Sequence, residues 1–554
     1  MPHEDTRAAR AAVAGLVLLL IVVAYYLLHA GQGTSPFFDE WDWITRRRGM
    51  SADSLLGPHN GHLSVVPVLM YKALLQVAGL DDYWVFRTVL LSLHLGCVLL
   101  VFLLARGRVG TVGGAFAAGF VAVLGSAGDD LLWAFQIGFL VGVLFGLGAL
   151  LALERESVRG DIAAAVLLAL SLGSASVGAA FAIAAAVELA LHPRRKERWW
   201  VLAAPLVLYG TWYLGYGEGQ MKRENLGVTP SYAADSGAAA AGGIVGLSLE
   251  WGRLLLVGLT AIVGARIWRA DRLTPRLVAL AAAPAALWVL TGLSRAQNNE
   301  PEAPRYIYCG AILLVLLVCE LLRGRVVPRL QAAAVLGLVL VFAAVGNANT
   351  IDGISGFLRF QAKDMRARLG ALELVGRDRV PLDLQFSPVN SPQLTAGRTL
   401  YAEESFGRIG LTPAQLLKVP QAQGLAADDV MKLTGSIAFA PAAEPPTPRG
   451  APPIDDAVTG GTVRDRGACL VTRAQSPDTR LDVRLPDGAD LLITAQGPTG
   501  VLARRFASAF GTEPIAEIPA GGTVRLDTRS DVSTAPWHLQ FASAGNLKVC
   551  RAGP

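Results

Sequence analysis

The side chains best suited to chemistry in this 554-residue chain gather early, in Phe37-Phe38-Asp39-Glu40-Trp41-Asp42-Trp43, with Pro58-His59-Asn60-Gly61-His62 shortly behind. Three carboxylates stand between aromatic rings, and a carboxylate at a wet boundary can take a proton from a hydroxyl. The acids follow an apolar run, Ala11 to Leu28, close to the ~20 residues that a bilayer crossing requires. A charge placed at a membrane boundary is costly enough to need a purpose. Asp39, Glu40 and Asp42 are therefore the candidate catalytic groups of a site facing out of the cell.

Further polar groups recur on the same side. Gly128-Asp129-Asp130 sits between two apolar runs and reads either as a helix start that meets its own dipole or as a second acidic wall. The stretch Gly215–Ser236 carries Lys222 and Arg223, and a later loop carries Arg295, Asn298 and Asn299 before Pro304-Arg305-Tyr306. Arg binds phosphate oxygens through a two-pronged fork, so Arg305 leads the anion-binding candidates, followed by Arg295, Lys222, Arg223 and the cluster Arg46-Arg47-Arg48. Trp41, Trp43, Tyr306, His59 and His62 are candidate sugar or acceptor contacts, although aromatic belts also anchor helices at interfaces. Asp39, Asp129 and Asp130 offer hard oxygens of the kind that hold Mg²⁺ or Mn²⁺, and His59 with His62 offers softer donors. The spacing leaves the metal open. His94 lies inside an apolar run and reads as a packed histidine.

The elements that must position these groups are membrane spans. The chain is 53% hydrophobic and 17% charged, with mean hydropathy +0.44, against about 25% charged residues in soluble domains. Apolar runs fall near 11–29, 84–105, 111–127, 132–152, 162–174, 177–191, 199–216, 252–268, 277–293, 306–322 and 330–347. The first is too long for a signal peptide and reads as an uncleaved helix. Alternate loops hold Arg106 and Arg108; Arg155 and Arg159; Arg194, Arg195, Lys196 and Arg198; Arg266, Arg269, Arg272 and Arg276; and Arg323, Arg325 and Arg329. That pattern follows the positive-inside rule and predicts a cytoplasmic N-terminus in a multi-pass plasma-membrane protein. Basic residues distributed in this way serve topology, so nucleic acid is not a partner. Leu63–Ala78, broken by Pro67, predicts a helix lying along the membrane surface. Residues 162–174 and 177–191 predict a tight helical hairpin.

An acidic motif after the first span (Asp39, Glu40), a second acid in the next outward loop (Asp129, Asp130) and Arg305-Tyr306 entering a late span resemble the GT-C superfamily of integral-membrane glycosyltransferases, in particular bacterial lipopolysaccharide-sugar transferases and actinobacterial arabinosyl- and mannosyltransferases. The resemblance covers roughly residues 8–350. It implies a polyprenyl-phosphate sugar donor, a cell-envelope glycan or lipid acceptor and a catalytic base at Asp39 or Glu40, with Asp129 or Asp130 as the second-loop acid. The chemistry agrees with those residue types. A single inverting displacement needs one base and a cation for the departing phosphate, with no paired nucleophile of the retaining kind. A flippase of lipid-linked glycan is the rival, and it would place charges at mid-membrane depth; a non-catalytic scaffold would make the acids dispensable.

Three divisions are expected. A transmembrane catalytic domain spans 1–350, a helical region with a Pro-rich linker (Pro441 to Pro453) spans 351–455, and a small β-sandwich spans 456–554. Phe357–Val375 is amphipathic, and Thr412-Pro413 marks a helix start. Leu481–Leu485, Leu491–Ala495, Gly522–Leu526, Trp537–Phe541 and Leu547–Cys550 are short alternating runs between turn residues, the pattern of strands. Cys97, Cys309 and Cys319 lie in spans, whereas Cys469 and Cys550 bracket the strand region. With eleven spans the tail lies outside, where oxidation is permitted, so these two are expected to form a disulfide. The tail is either a glycan-holding module, with Trp537 and Tyr401 as candidate stacking platforms, or a structural lid or partner-docking domain.

Overall fold

Backbone amides in hydrocarbon have no water to bond, so long apolar runs close their hydrogen bonds internally as helices. The computed structural model describes residues 5–269, 273–298, 300–325, 330–387, 391–442, 447–455 and 458–552. Arg272, Asn299, Arg329 and part of the Pro-rich run lie outside the described residues. The chain separates into two compact units, Met1–Arg359 and Phe360–Pro554.

The first unit opens with α1 (Thr6–Ala30), capped by the Asp5 carboxylate, which accepts the Arg7 amide at 2.8 Å. Three helices follow before the next long one: α2 (Glu40–Thr45), α3 (Ala52–Leu56) and α4 (Val65–Ala78). Pro67 lies in the first turn of α4, where its missing N–H costs nothing, so it does not break the stretch as expected. The helix turns Val68, Tyr71 and Leu75 inward while Leu69 and Val77 stay exposed. α5 (Tyr83–Ala122) carries two expected spans in one element, parted at Gly110, whose φ of 79° and ψ of 176° interrupt the helix. Then come α6 (Gly128–Leu132), α7 (Ile137–Leu153), α8 (Val158–Leu172), α9 (Gly178–Ala190), α10 (Arg195–Arg198) and α11 (Trp200–Tyr216). α12 (Thr229–Ile244), α13 (Leu249–Trp268), α14 (Pro275–Arg295), α15 (Pro304–Leu321) and, as far as Arg359, α16 (Leu330–Val375) complete the helical series of this unit.

This is a polytopic helical membrane protein. Among the described residues, seven helical segments are long and apolar enough to cross a membrane, against about eleven expected. The difference is physical: α5 holds two of the expected spans, while α8, α9 and α11 have 15, 13 and 17 residues. At 1.5 Å per residue such helices fall short of a ~30 Å hydrocarbon core. Their neighbours are other helices: α7 packs on α8, α9 on α14, and α8 on α11.

Two further expectations change. The loop expected over Gly215–Ser236 ends early, because Thr229 begins α12, whose Gly and Ala residues pack against α13, α14 and α15. The arginines of the basic loops are not all solvated either. Arg108 Nε lies 3.0 Å from Glu320 Oε2 and also pairs with Glu154, Arg276 Nε lies 2.9 Å from Glu188 Oε2, and Arg198 Nη2 lies 2.6 Å from Asp161 Oδ1. All three arginines are buried, so they tie helix ends together. α16 also runs on where a span ending at 347 and a separate helix from 357 were expected. Within it the Asn347 side chain is bonded on both sides: Oδ1 accepts the Ser126 amide at 2.6 Å and Nδ2 donates to Gly243 O at 3.0 Å.

In the second unit α17 (Ala396–Phe406), α18 (Pro413–Leu416) and α19 (Gln421–Leu433) precede the strands. Thr412 and Gln415 form the capping box that starts α18. The strands are β1 (Ile437–Pro441), β2 (Pro448–Gly450), β3 (Gly461–Asp465), β4 (Cys469–Ala474), β5 (Thr479–Leu485), β6 (Asp490–Ala495), β7 (Thr499–Arg504), β8 (Ala516–Ile518), β9 (Thr523–Thr528), β10 (Trp537–Ser543) and β11 (Leu547–Ala552). Among the described residues they form two antiparallel sheets, β1-β9-β6-β11-β4-β3 with β2 on β11, and β5-β10-β7-β8. Cys550 stands opposite Cys469 in register, and the two form the expected disulfide. The expected division at 455/456 does not appear. β1 lies ahead of it yet pairs with β9, and Asp428 of α19 accepts the amides of Arg505, Phe506 and Ala507 at 2.8–3.1 Å. Trp537 is fully buried and has no face for a sugar, whereas Tyr401 is 40% exposed.

Candidate functional site

Glu40 is the most heavily bonded of the three early acids. Its Oε1 accepts Tyr71 Oη at 2.8 Å, and its Oε2 accepts Tyr83 Oη at 2.9 Å, Trp133 Nε1 at 3.2 Å and the Phe37 amide at 3.2 Å. One buried carboxylate thus ties α2 to α4, to α5 and to the segment after α6. Burial pushes its pKa up to about 7, against the pull of those four donors. With no exposed surface it serves as a strut, which sets it apart from the expected catalytic set.

Asp39 differs. It is half-buried at the head of α2, follows Phe38 at a strained φ of 47°, and its Oδ2 accepts Asn60 Nδ2 at 3.2 Å. Burial raises its pKa above the usual aspartate range; the Asn60 bond opposes this, the nearby Asp42 charge adds to it, and the Arg305 and Arg295 charges oppose it. Asp42 pairs with Arg46 at 3.3 Å.

Asn60 is the residue that sequence reasoning missed. His59 and His62 exchange both backbone bonds at 3.0 Å around Asn60 and Gly61, whose φ values are 50° and 78°. This is the Asn-Gly signature of a type I′ turn, a local signal legible in the chain. A Cβ at position 61 would fall 2.2 Å from the Gln220 side chain, so glycine is needed for space as well as for φ. The turn presents Asn60 to Asp39 on one side, while on the other Arg295 Nη2 donates to Asn60 O at 2.7 Å.

The second acidic turn and the late arginine join the same place. Asp130 is fully buried, and among the described residues neither of its carboxylate oxygens has a hydrogen-bond partner. Arg305, at the start of α15, is the charge that Asp129, Asp130 and Asp39 all feel. Its Cζ lies 5.1 Å from the centre of the Tyr306 ring. Asp39, Arg295, Asp129, Asp130, Arg305 and Tyr306, remote in sequence, are therefore neighbours in charge and space.

Other expected contacts are spent on packing. Trp41 is fully buried, and Trp43 is wedged edge-on against Tyr71 and His59 with Phe135 at 4.4 Å between ring centres. Neither offers a face to a sugar. Burial, with Arg47 and His62 adding, lowers the His59 pKa to about 3; burial and Arg295 lower that of His62 to about 4. Both rings are neutral at physiological pH, and His59 is packed away. Arg47 is consumed by the carbonyls of Asp53, Ser54 and Pro58, so it braces its loop and the phosphate-binding expectation for it falls. Lys222 and Arg223 are exposed, and the Lys222 amide donates to Leu293 O at 3.0 Å. His94 is packed as expected, its Nδ1 2.8 Å from Tyr308 Oη.

Among the described residues no three His, Cys, Asp or Glu side chains form a group able to hold a metal ion. Asp39, Asp129 and Asp130 share Arg305 as a counter-charge.

No protein-family model and no curated protein matches the chain. Two crystal structures of ArnT from Cupriavidus metallidurans are similar to it at 13% sequence identity. The one bound to undecaprenyl phosphate has a TM-score of 0.44 over 72% of this chain and 86% of that chain. The apo form has 0.45 over 78% and 93%. Likeness at that level gives no residue a role.

Proposed function

We propose that this chain is a membrane glycosyltransferase that moves a sugar from a polyprenyl-phosphate donor to a hydroxyl of a cell-envelope glycan or lipid. The observation that carries the reading is the convergence of a half-buried carboxylate, Asp39, with the arginines Arg305 and Arg295 at one helix-end cluster. Asp39 takes the proton of the acceptor hydroxyl as its oxygen attacks the anomeric carbon. The bond from that carbon to the donor phosphate oxygen breaks with inversion, and the lipid phosphate departs carrying the electron pair. Arg305 neutralises that charge, with the charges of Asp129 and Asp130 and the Tyr306 ring beside it. Asn60 orients Asp39, and Glu40 fixes the backbone beneath it. Arg46-Arg47-Arg48 and the buried tryptophans take no part.

The flippase alternative finds no support in the buried ion pairs. Arg108 lies two residues before the Gly110 break in α5, Glu154 just past α7, Arg276 in the first turn of α14 and Glu320 in the last turn of α15, whereas a flippase would be expected to hold charges midway along its spans. In the proposed orientation the N-terminus is cytoplasmic and the sheet-bearing unit extracytoplasmic, a position that suits its disulfide.

The test is transfer of radiolabelled sugar from polyprenyl phosphate in membranes. Asp39→Asn is expected to lose roughly a hundredfold to ten-thousandfold in rate, the usual worth of a general base. Normal transfer by a folded Asp39→Asn protein would remove the assignment, and a wild-type protein inert toward every polyprenyl-phosphate donor would remove the enzyme class.

A further inference from the structure

Away from the acidic cluster, the bundle carries a groove of about 500 Å³ between α9 and α11. Its floor is Ala186, Leu189 and Ala190 of α9 with Leu202 of α11. The small alanines leave it open, and nothing polar interrupts it. Its rim is different: Arg195 and Lys196 of α10, and Trp199 just beyond, 64% exposed. The neighbouring arginines are already engaged, Arg194 with Glu156 at 2.7 Å and Arg198 with Asp161 at 2.6 Å. Among the described residues no ion pair joins Arg195 or Lys196 to a carboxylate, and the adjacent Glu197 is exposed. Two available cations, an indole of the kind that settles at headgroup level and an apolar trough beneath them match one class of molecule in both charge and polarity.

We propose that this groove holds an anionic phospholipid, its phosphate on Arg195 and Lys196 and the start of an acyl chain along Ala186, Leu189, Ala190 and Leu202. Basic pockets between membrane helices bind anionic headgroups through this combination. The volume lies in the range of small-molecule sites, enough for a phosphoglycerol group and the first carbons of a chain. The site stands apart from Arg305 and is independent of the proposed transfer reaction.

The test uses the full-length protein, delipidated in neutral detergent and titrated with dioleoyl phosphatidylglycerol or dioleoyl phosphatidylcholine while bound lipid is counted by native mass spectrometry. Phosphatidylglycerol is expected to bind at least tenfold more tightly than phosphatidylcholine. The double variant Arg195→Gln/Lys196→Gln is expected to lose roughly tenfold to thirtyfold, from the attraction of each basic residue for an anionic headgroup, and Lys196→Arg is expected to retain binding. Both substituted side chains are exposed, so folding is spared, and an unchanged thermal melt checks it. Equal binding of the two lipids, or undiminished phosphatidylglycerol binding by the double variant, would overturn the proposal. So would displacement of the lipid by millimolar glycerol phosphate, which would make the site one for a soluble anion.

Discussion

Asp39 and Glu40 are adjacent in sequence and opposite in circumstance, and the contrast yields separate predictions. Burial raises the Asp39 pKa, so the proton-accepting form is depleted at a higher pH than for a free aspartate near 3.9. Transfer should therefore fall as pH drops through a limb lying above that value, measured as kcat/KM against pH. Glu40→Gln should keep transfer, because the Tyr71 hydroxyl can rotate to accept where it now donates. Glu40→Ala instead strands Tyr71, Tyr83 and Trp133, and each unsatisfied buried donor costs about 1–3 kcal/mol; a lowered thermal midpoint in detergent is the readout. If Glu40→Gln loses transfer at an unchanged midpoint, the base has been assigned to the wrong carboxylate. The Glu40 pKa of about 7, above its ordinary 4.5, also fixes a sign. The folded protein holds the extra proton, so this group's contribution is full below pH 4.5 and is lost as pH rises toward 7. Arg305→Lys should raise donor KM and lower kcat, since an ammonium cannot grip two phosphate oxygens at once. The acids and Arg305 were legible in the chain because charges at membrane boundaries stand out. Which acid is a strut was not, because that depends on Tyr71, Tyr83 and Trp133, whose approach is set by packing.

At the scale of elements, hydropathy located most helices and misjudged two features. α12 is mostly Ala, Gly and Ser with little bulk, so no strongly apolar run announces it, yet Gly242 and Gly252 let it meet α13 at van der Waals distance. The continuity of α16 was hidden by Asn347, Asn349 and three glycines, each a plausible break in isolation. The Asn60-Gly61 turn, by contrast, was available from sequence and overlooked. The ion pairs at the helix ends carry their own prediction. Arg108→Ala leaves Glu320 buried, with exposed Arg323 as its remaining ion-pair partner, and removing one member of a buried pair costs about 3–5 kcal/mol. The measurement is thermal unfolding in detergent, and a shift indistinguishable from zero would show that Arg323 alone suffices.

Over the whole molecule, the disulfide was expected, whereas three divisions were expected and the chain separates into two units, because β1 and α19 are joined to the sheets by contacts far along the chain. Cys469 and Cys550 are 81 residues apart, and closing a loop of that size stabilises by roughly 4 kcal/mol in the chain-entropy model. The double variant Cys469→Ser/Cys550→Ser should therefore lower the unfolding temperature of the second unit in a calorimetric trace. Protease added to intact spheroplasts should release a fragment of that unit; complete protection would reverse the proposed orientation.

The partners of Arg108 arrive at different times during synthesis. Glu154 is 46 residues downstream and Glu320 is 212. While the ribosome is still making the middle of the protein, Arg108 has only its nearer mate, and Glu320 arrives later with Arg323 three residues behind it. Biogenesis thus has a built-in completion signal: chains truncated before α15 should be recognised as unfinished and degraded, and pulse-chase lifetimes should lengthen abruptly once residue 320 is included.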